Sequence, residues 1–390
     1  MRCYHSSLWN SATIRRKVLA MRVHRLLLVC VLCATGISQK AEVQSPGAEQ
    51  AALKTAVNGP ANLAIYDNYL YVLEHVAERV LRVNLQTDTV RVFAGNGRHC
   101  CHKDGVAAKD SSLHGPIAMA IDSHGNVFIG EVSGFVRRVA ADSGIISTVA
   151  GDGQAGDTQD GVPARSAHFW SADSLTIDAE DNLYLTDQTQ GKIFKIDGRT
   201  GVVKTFAGNG KRGFTGDGQP ATAASFRFPS SVFDKVGNLV VADYENCRIR
   251  LIDGQTTRVS TIALVAPVQA DGTCAKPSNA PGPYPSDPAL DASNNVYFVQ
   301  GAFDVVIRVN ASNRELVTVA GQKQKRGFSG DGGLATKATL SNPSGLALDT
   351  AGNLYIAEYG NNRVRRVDAK THRISTVVGN GLPHRIDIEM

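Results

Sequence analysis

A turn-and-strand motif recurs along most of this chain at a nearly constant spacing. The stretch DTAGNLYIAE, which begins at Asp349, returns as DASNNVYFVQ, DKVGNLVVAD, DAEDNLYLTD and DSHGNVFIGE, and a degraded copy begins at Asp67. The five complete copies start at aspartates that are 56, 56, 57 and 58 residues apart. A second motif of the type TVAGNG keeps the same register, so the chain contains six similar units.

Each unit has the pattern of four short β-strands. Residues 343–381 contain the runs GLALD, NLYIAEY, RVRRVD and ISTVVG, which are separated by turn clusters. One such sheet cannot bury both of its faces, whereas a closed ring of sheets protects all but short edges. The sequence therefore predicts an all-β fold, a six-bladed β-propeller of four-stranded antiparallel blades with strands a to d. We expect the ring to close by side-chain packing between blades one and six.

The repeated pattern P-x-G-[LI]-A-x-D-x-x-G-N-L-Y, followed by N-x-R-[IV]-R and I-S-T-V, resembles NHL repeats. The resemblance covers roughly residues 58–382 and is most specific in blades three, four and six. It implies a six-bladed propeller of a kind found in secreted and cell-surface proteins, kinase sensor domains and RNA-binding ubiquitin ligases. It implies no single activity, because a fold does not fix a function.

The amino-terminal region has the composition of a targeting segment. Residues 1–38 contain six Lys or Arg and no Asp or Glu, with an apolar run over residues 26–34 and small residues at Gly36 and Ser38. This predicts a secretory signal peptide over residues 1–38, with Met21 as a second candidate start; an organellar transit peptide is the alternative. This apolar run is too short to span a membrane. We expect a secreted or extracellular protein or, alternatively, one in an organelle lumen.

The rest of the chain is predicted to form one domain. Residues 39–57 are expected to be a linker, residues 58–382 the propeller and residues 383–390 a carboxy-terminal tail. Without the six basic residues of the predicted signal, 35 Lys and Arg stand against 36 Asp and Glu. This near-neutral balance disfavours a nucleic-acid partner, and we expect a monomer.

Four cysteines follow the predicted signal, namely Cys100, Cys101, Cys247 and Cys274. If the strands alternate in direction, the b-to-c turns and d-to-a loops share one face, which we call the loop face, and all four cysteines lie on it. Cys247 and Cys274 are the predicted disulfide. A zinc site in the HCCH stretch at residues 99–102 is an alternative, but adjacent cysteines lack the usual two-to-four-residue gap. We expect no metal or cofactor. Asn310 begins a glycosylation sequon on the opposite face.

Each strand b ends in a polar residue, and in four blades a basic residue follows five positions later. The sequence predicts four turn pairs on this basis: Glu74 with Arg79, Asp187 with Lys192, Asp243 with Arg248 and Glu358 with Arg363. Glu131 has no basic residue at that position and is predicted to be an unpaired acid on the loop face. The alternative places Glu131, Asp187, Asp243 and Glu358 around the channel mouth as metal ligands.

Two d-to-a loops are near copies of each other. The loops that begin at Gly208 and Gly321 share the sequences KRGF and GDG. They predict a partner-binding surface on the loop face, formed with Glu131 by Lys211, Arg212, Phe214, Lys325, Arg326 and Phe328. The structural alternative has the phenylalanines buried as anchors and the basic side chains solvated.

The main functional hypothesis is a non-catalytic binding scaffold for a protein or glycan partner on the loop face. The second is a metal-assisted hydrolase or lyase with its site at the central channel. The sequence contains no G-x-S-x-G motif, and histidines do not recur at one position of the blades, which favours the scaffold.

Overall fold

Six antiparallel β-sheets make up the described part of the chain. The computed structural model describes residues 50–99, 102–269, 272, 274–275 and 284–383. Contacts divide the chain into two units, Met1–Ser45 and Pro46–Met390, and every described residue lies in the second. The predicted signal peptide, Cys100 and Cys101 therefore fall outside the described residues. None of the helical segments that are described has the length and apolar character of a membrane-spanning helix.

Consecutive strands are neighbours in every sheet, and the first two sheets have a short fifth strand next to strand d. Blades one and two contain β1 (Gln50–Ala51), β2 (Pro60–Tyr66), β3 (Tyr69–Glu74), β4 (Arg79–Asn84), β5 (Thr89–Ala94), β6 (Val106–Ala107), β7 (Pro116–Ile121), β8 (Val127–Glu131), β9 (Val136–Val139) and β10 (Ile145–Ala150).

The other four blades each have strands a to d in chain order. They contain β11 (Ser174–Ile177), β12 (Leu183–Asp187), β13 (Lys192–Ile196), β14 (Val203–Ala207), β15 (Pro229–Phe233), β16 (Leu239–Asp243), β17 (Arg248–Ile252), β18 (Val259–Leu264), β19 (Ser286–Leu290), β20 (Val296–Gln300), β21 (Val305–Val309), β22 (Leu316–Ala320), β23 (Pro343–Leu348), β24 (Leu354–Glu358), β25 (Arg363–Val367) and β26 (Ile374–Val378). The helices among the described residues are 3-10 turns at Ala52–Lys54, Ala108–Asp110, Ala164–Ser166, Ala221–Ala223, Tyr244–Asn246, Gly301–Phe303 and Ala335–Lys337.

The six sheets form a closed ring. Strand a of each blade contacts strand a of the next, from β2 through β7, β11, β15, β19 and β23 back to β2. Six hydrophobic clusters each span one interface between neighbouring blades. Strands b are buried along their whole length in blades three to six, since both faces are covered, whereas strands d are half exposed. The prediction of a six-bladed β-propeller is confirmed.

The repeated D-x-x-G-N motif ties two turns together on the face opposite the loop face. In blade six, Asn353 donates from its backbone N–H and its Nδ2 to the two carboxylate oxygens of Asp349, at 2.8 and 2.7 Å. The Asn353 side-chain carbonyl then accepts the N–H of Ala369, in the c-to-d turn, at 3.0 Å. The same contacts occur in blades two to five, and they explain why this motif marks each unit so clearly.

A segment from the predicted linker completes the last connection of the ring. Gly379 and Asn380 follow strand d of blade six, and their N–H groups donate to the carbonyls of Ala52 and Thr55, both at 3.0 Å. Gly208 and Asn209 make the equivalent bonds to Ala221 and Ala224 within a continuous loop. Residues 50–57 are thus part of the propeller, although the sequence-based boundary placed them before it. Closure uses these backbone hydrogen bonds in addition to side-chain packing.

Val57 and Leu53 provide a test of this closure. Val57 is fully buried, whereas Leu53 in the same segment is 56% exposed. We expect Val57→Asp to lower the free energy of unfolding by at least about 3 kcal/mol, because a carboxylate would be buried without a partner. Leu53→Asp should change it by less than about 0.5 kcal/mol. Urea unfolding measures both, and equal losses would contradict a buried closing segment.

Candidate functional site

The b-to-c turns and the d-to-a loops lie together on the loop face, where the acids that end strands b join them. Glu74, Asp187, Asp243 and Glu358 each accept a backbone N–H from the loop that leads into strand a of the same blade. The donors are Asn58 at 2.6 Å, Trp170 at 2.8 Å, Arg227 at 2.8 Å and Ser341 at 3.0 Å. Each acid therefore fixes the position at which a loop enters the ring.

These acids are buried rather than arranged around an open mouth. Glu74, Glu131, Asp187, Asp243 and Glu358 are all fully buried. Asp187 also accepts hydrogen bonds from Thr189 and Gln190, and Glu358 accepts one from Asn361, all within their own blades. Among the described residues, no group of three or more His, Cys, Asp or Glu is arranged to hold a metal ion. These contacts give the alternative of an acidic metal site at the channel no geometric support.

The predicted turn pairs are correct in one blade. Arg79 donates through its Nε to Glu74 in blade one. Blades four and six instead use the arginine two residues further along strand c, because Arg250 lies 3.4 Å from Asp243 and Arg365 lies 3.1 Å from Glu358. The predictions of Asp243 with Arg248 and of Glu358 with Arg363 were therefore wrong about the partner.

Blade three also departs from the predicted pairing. Asp187 accepts hydrogen bonds from Trp170 and Gln190, while the Lys192 ammonium lies 5.9 Å from the centre of the Phe194 ring. The predicted pair of Asp187 with Lys192 is therefore also wrong. Asp187 is held by amide donors, which need no counter-charge.

Three fully buried arginines connect strands c with the aspartates of the d-to-a loops. Arg137, Arg250 and Arg365 have no exposed side-chain surface, and each lies within 2.9 Å of a loop aspartate: Asp104, Asp217 and Asp331, respectively. In blades four and six the same guanidinium also contacts the acid of strand b. The sequence interpretation missed these networks, although the signal was present. Each of the three aspartates begins an Asp-Gly turn and stands 12 residues before the proline that begins strand a of its blade.

Glu131 has basic neighbours in the preceding d-to-a loop and in strand c of its own blade. Its Oε2 lies 2.9 Å from His102 Nε2, and Arg137 Nη1 lies 3.9 Å from its Oε1. The prediction that Glu131 is an unpaired acid on the loop face is therefore wrong. His102 belongs to the HCCH stretch, whose His99 contacts Glu78 and packs against the His114 ring with 4.1 Å between ring centres. Cys100 and Cys101, the other members of the zinc alternative, lie outside the described residues.

The two KRGF loops place their phenylalanines on arginines of strands c. Phe214 lies 3.5 Å from the guanidinium carbon of Arg248, and Phe328 lies 3.9 Å from that of Arg363, measured to the ring centres. Phe214 is half-buried, whereas Phe328 is 43% exposed. Each phenylalanine is therefore an anchor for its loop, and Phe328 also presents apolar surface to solvent.

The basic side chains of these loops are exposed. Lys211 and Arg212 lie on the surface of the first loop, with the Arg212 guanidinium 4.8 Å from the Phe228 ring centre. In the second loop, Lys325 donates to Gln322 at 2.9 Å and Arg326 donates to the buried Asp304 at 3.2 Å. The structure thus brings six of the seven predicted binding-face residues to the loop face, and buries Glu131.

Cys247 and Cys274 form a disulfide with 5.3 Å between their Cα atoms. Cys247 lies in the b-to-c turn of blade four, and Cys274 lies in the following loop, so the bond holds that loop on the loop face. Asn310 begins the c-to-d turn of blade five on the opposite face, where its backbone N–H donates to Glu315.

Burial raises the pKa values of Glu74, Asp243 and Glu358, three of the acids that end strands b. For Asp243, burial raises the pKa from 3.8 to about 6, against the opposing effect of Arg250 and of hydrogen bonds from Arg227 and Asn246. Burial likewise raises the pKa of Glu74 against Arg79, and that of Glu358 against Arg365. Burial thus disfavours the ionised form of these three carboxylates, and their partners offset this effect only in part.

Comparison with known proteins gives the same class as the fold. The teneurin NHL domain family matches residues 38–196, and the NHL repeat family matches residues 340–366. The described chain is thus a six-bladed β-propeller, and these matches show that it contains NHL repeats.

Teneurin-3 of Danio rerio is 25% identical over 316 residues, which are 73% of this chain and 11% of that protein. The human NHL repeat-containing protein 2 is 23% identical over 339 residues, which are 83% of this chain and 41% of that protein. The chain therefore spans about a tenth of the length of the teneurins it matches. Among solved structures, an auxiliary nutrient binding protein from Bacteroides thetaiotaomicron matches with a TM-score of 0.55 and 14% identity, over 82% of this chain and 70% of that one.

The corrected ion pairs can be tested in blade six. We expect Arg365→Gln to lower the free energy of unfolding by about 3 to 5 kcal/mol, because it leaves the buried Glu358 and the loop aspartate Asp331 without their partner. Arg363→Gln, at the position predicted from the sequence, should cost only about 1 kcal/mol. Urea unfolding distinguishes the two, and a larger loss for Arg363→Gln would contradict the assignment.

Asp243 should make stability depend on pH. The pKa of Asp243 in the folded state, about 6, lies above the ordinary value of 3.8. Between pH 6 and pH 3.8 the carboxyl group is therefore mostly protonated in the folded protein and mostly ionised in the unfolded chain. The wild-type free energy of unfolding, relative to that of Asp243→Asn, should therefore rise as the pH falls from 7 to 4.5. The slope should not exceed about 1.4 kcal/mol per pH unit. A difference that stays constant or falls with decreasing pH would contradict the raised pKa.

Proposed function

We propose that this NHL-repeat propeller is a secreted or extracellular binding scaffold that holds a protein or glycan partner on its loop face. The observation that carries the proposal is the exposure of Phe328, which is 43% accessible although it is stacked on a guanidinium fixed to the blade. An aromatic ring presented on a rigid support loses little conformational freedom when it binds. Such residues are common at the centre of protein interfaces.

Other features of the loop face agree with this role. Trp170 is also 43% exposed, and it lies in the loop that enters blade three. The loops carry exposed Lys and Arg side chains, while the acids that end strands b are buried in structural contacts. Loops held on a rigid scaffold are the usual location of binding residues.

The proposed location rests on the disulfide and on the sequence. Disulfides persist in oxidising compartments, and Cys247 and Cys274 form one here. The predicted signal peptide over residues 1–38 and the sequon at Asn310 are both features of proteins that enter the secretory pathway. The similarity to teneurins and, at the level of fold, to a protein described as nutrient binding also supports a binding role outside the cell. We also propose that the protein is a monomer and that it has no nucleic-acid partner.

Matched charge variants on the two faces test this function. Proximity labelling or pull-down with the wild-type chain is compared with Arg212→Ala/Arg326→Ala on the loop face and Arg199→Ala/Lys370→Ala on the opposite face, where both side chains are exposed. We expect partner capture to fall at least about fivefold for the first pair, which corresponds to about 1 kcal/mol. The second pair should leave capture unchanged. Equal loss for both pairs, or for neither, would count against a partner on the loop face.

A further inference from the structure

The two KRGF loops form nearly identical pads of one phenylalanine on one arginine. The blade-four pad is Phe214 with Arg248, and the blade-six pad is Phe328 with Arg363. In both, an asparagine of the b-to-c turn donates from its Nδ2 to the carbonyl of the glycine before the phenylalanine, at 2.8 Å in blade four and 2.9 Å in blade six. The same scaffold is therefore built twice, two blades apart.

The chain itself covers the blade-four pad. Arg248 Nη1 donates to the carbonyl of Gly272 at 2.5 Å, and a Cβ atom at residue 272 would come within 2.8 Å of the Phe214 ring. The N–H of Cys274 donates to the carbonyl of Glu245 at 3.2 Å, and the disulfide to Cys247 holds this loop in place. A turn with glycine at the contact point thus covers this pad, since Gly272 has a φ of 80° and its N–H donates to the carbonyl of Gln269.

The phenylalanine ring of the blade-six pad is more exposed, although Gly381 of the chain packs against the Arg363 guanidinium. Phe328 is 43% exposed, and Arg363 is half-buried, whereas Arg248 in blade four is only 5% exposed. Arg363 donates to the carbonyls of Asn361 and Asn380, at 3.4 and 2.9 Å. A guanidinium carries five N–H donors, so these bonds leave it able to donate to a further carbonyl.

The charge around the blade-six pad indicates the chemistry of an occupant. Lys323, Lys325 and Arg326 are exposed in the loop that carries Phe328. Lys323 lies 4.6 Å from the Phe303 ring centre, and Arg326 donates to Asp304. In the loop that covers the blade-four pad, the residue before Gly272 is an aspartate. Charge complementarity therefore favours an acidic segment.

We propose that the blade-six pad is the docking site for an acidic, glycine-containing turn of a partner protein, lying over Phe328 and Arg363 as Gly272 lies over Phe214 and Arg248. The inference rests on the proposed function and narrows its partner to a protein segment. The partner backbone packs on the ring, a carbonyl oxygen accepts from Arg363, and an acidic side chain lies near the exposed lysines.

Disulfide tethering tests the pad with a defined probe. Asn362 occupies in blade six the position of Cys247 in blade four, four residues after the acid of strand b and with φ of 52° against 53°. In the full chain carrying Cys100→Ser, Cys101→Ser and Asn362→Cys, the acetylated peptide ADGTCA, which copies residues 270–275, can form the equivalent disulfide. The measurement is the concentration of β-mercaptoethanol at which half of the protein keeps the peptide, with tryptic mass spectrometry to assign the bonded cysteine.

We expect this concentration to be at least tenfold higher than in the same protein with Phe328→Ala, and at least threefold higher than for the peptide AKGTCA. Both proteins lose the hydrogen bond from Gly59 to Asn362, so the ratio of their two β-mercaptoethanol concentrations reports only the contribution of the Phe328 ring. Equal values with and without Phe328 would overturn the docking site, and equal values for the two peptides would overturn its preference for an acidic segment.

Two further outcomes assign the pad to another occupant and would also overturn the proposal. One is Phe328-dependent binding of glycan probes by a chain that does not retain the peptide. The other is retention of the peptide by a chain that ends at Pro383 but not by the full chain, since the pad would then belong to the chain's own tail. Because tethering uses no natural partner, its failure leaves the face comparison of Arg212 and Arg326 as a separate test of the proposed function.

Discussion

The loop face of this propeller depends on a buried carboxylate at the end of strand b. In blades four and six, the carboxylate joins a loop amide and an arginine of strand c, and this arginine also contacts an aspartate in the loop. A buried carboxylate is costly unless it is paired and hydrogen-bonded, so the loop, turn and strand stabilise one arrangement together. The positions of the exposed side chains on this face follow from that arrangement.

The repeat and the fold could be predicted from the sequence because their determinants are local. Asp349 and Asn353 lie four residues apart and hold their own turn, and the same pair returns in five blades at almost one spacing. Alternating strand direction then places the b-to-c turns and d-to-a loops on one face. The disulfide between Cys247 and Cys274 also links neighbouring parts of the sequence, namely a turn of blade four and the loop that follows it.

The side-chain partners could not be predicted in the same way, because distant segments decide them. Arg248 and Arg250 are both basic and both near Asp243, and the sequence of the blade does not choose between them. In the structure Arg248 is engaged by Phe214 and the carbonyl of Gly272, which leaves Arg250 to approach the acid. Glu131 likewise receives His102 from the preceding loop. The exposure of Phe328 could not be predicted from the sequence either, because it depends on the chain covering the blade-four pad more fully than the blade-six pad.

The split connection between the last blade and residues 50–57 couples the two ends of the propeller during synthesis. Residues of the closing segment leave the ribosome long before Gly379 and Asn380, which bind the carbonyls of Ala52 and Thr55. Until those residues emerge, the nascent chain holds an unfinished arc of blades with the apolar side chain of Val57 lacking its final neighbours. A chain stopped before blade six would keep this surface and an unpaired terminal blade exposed, which is the kind of feature that chaperones and proteases recognise.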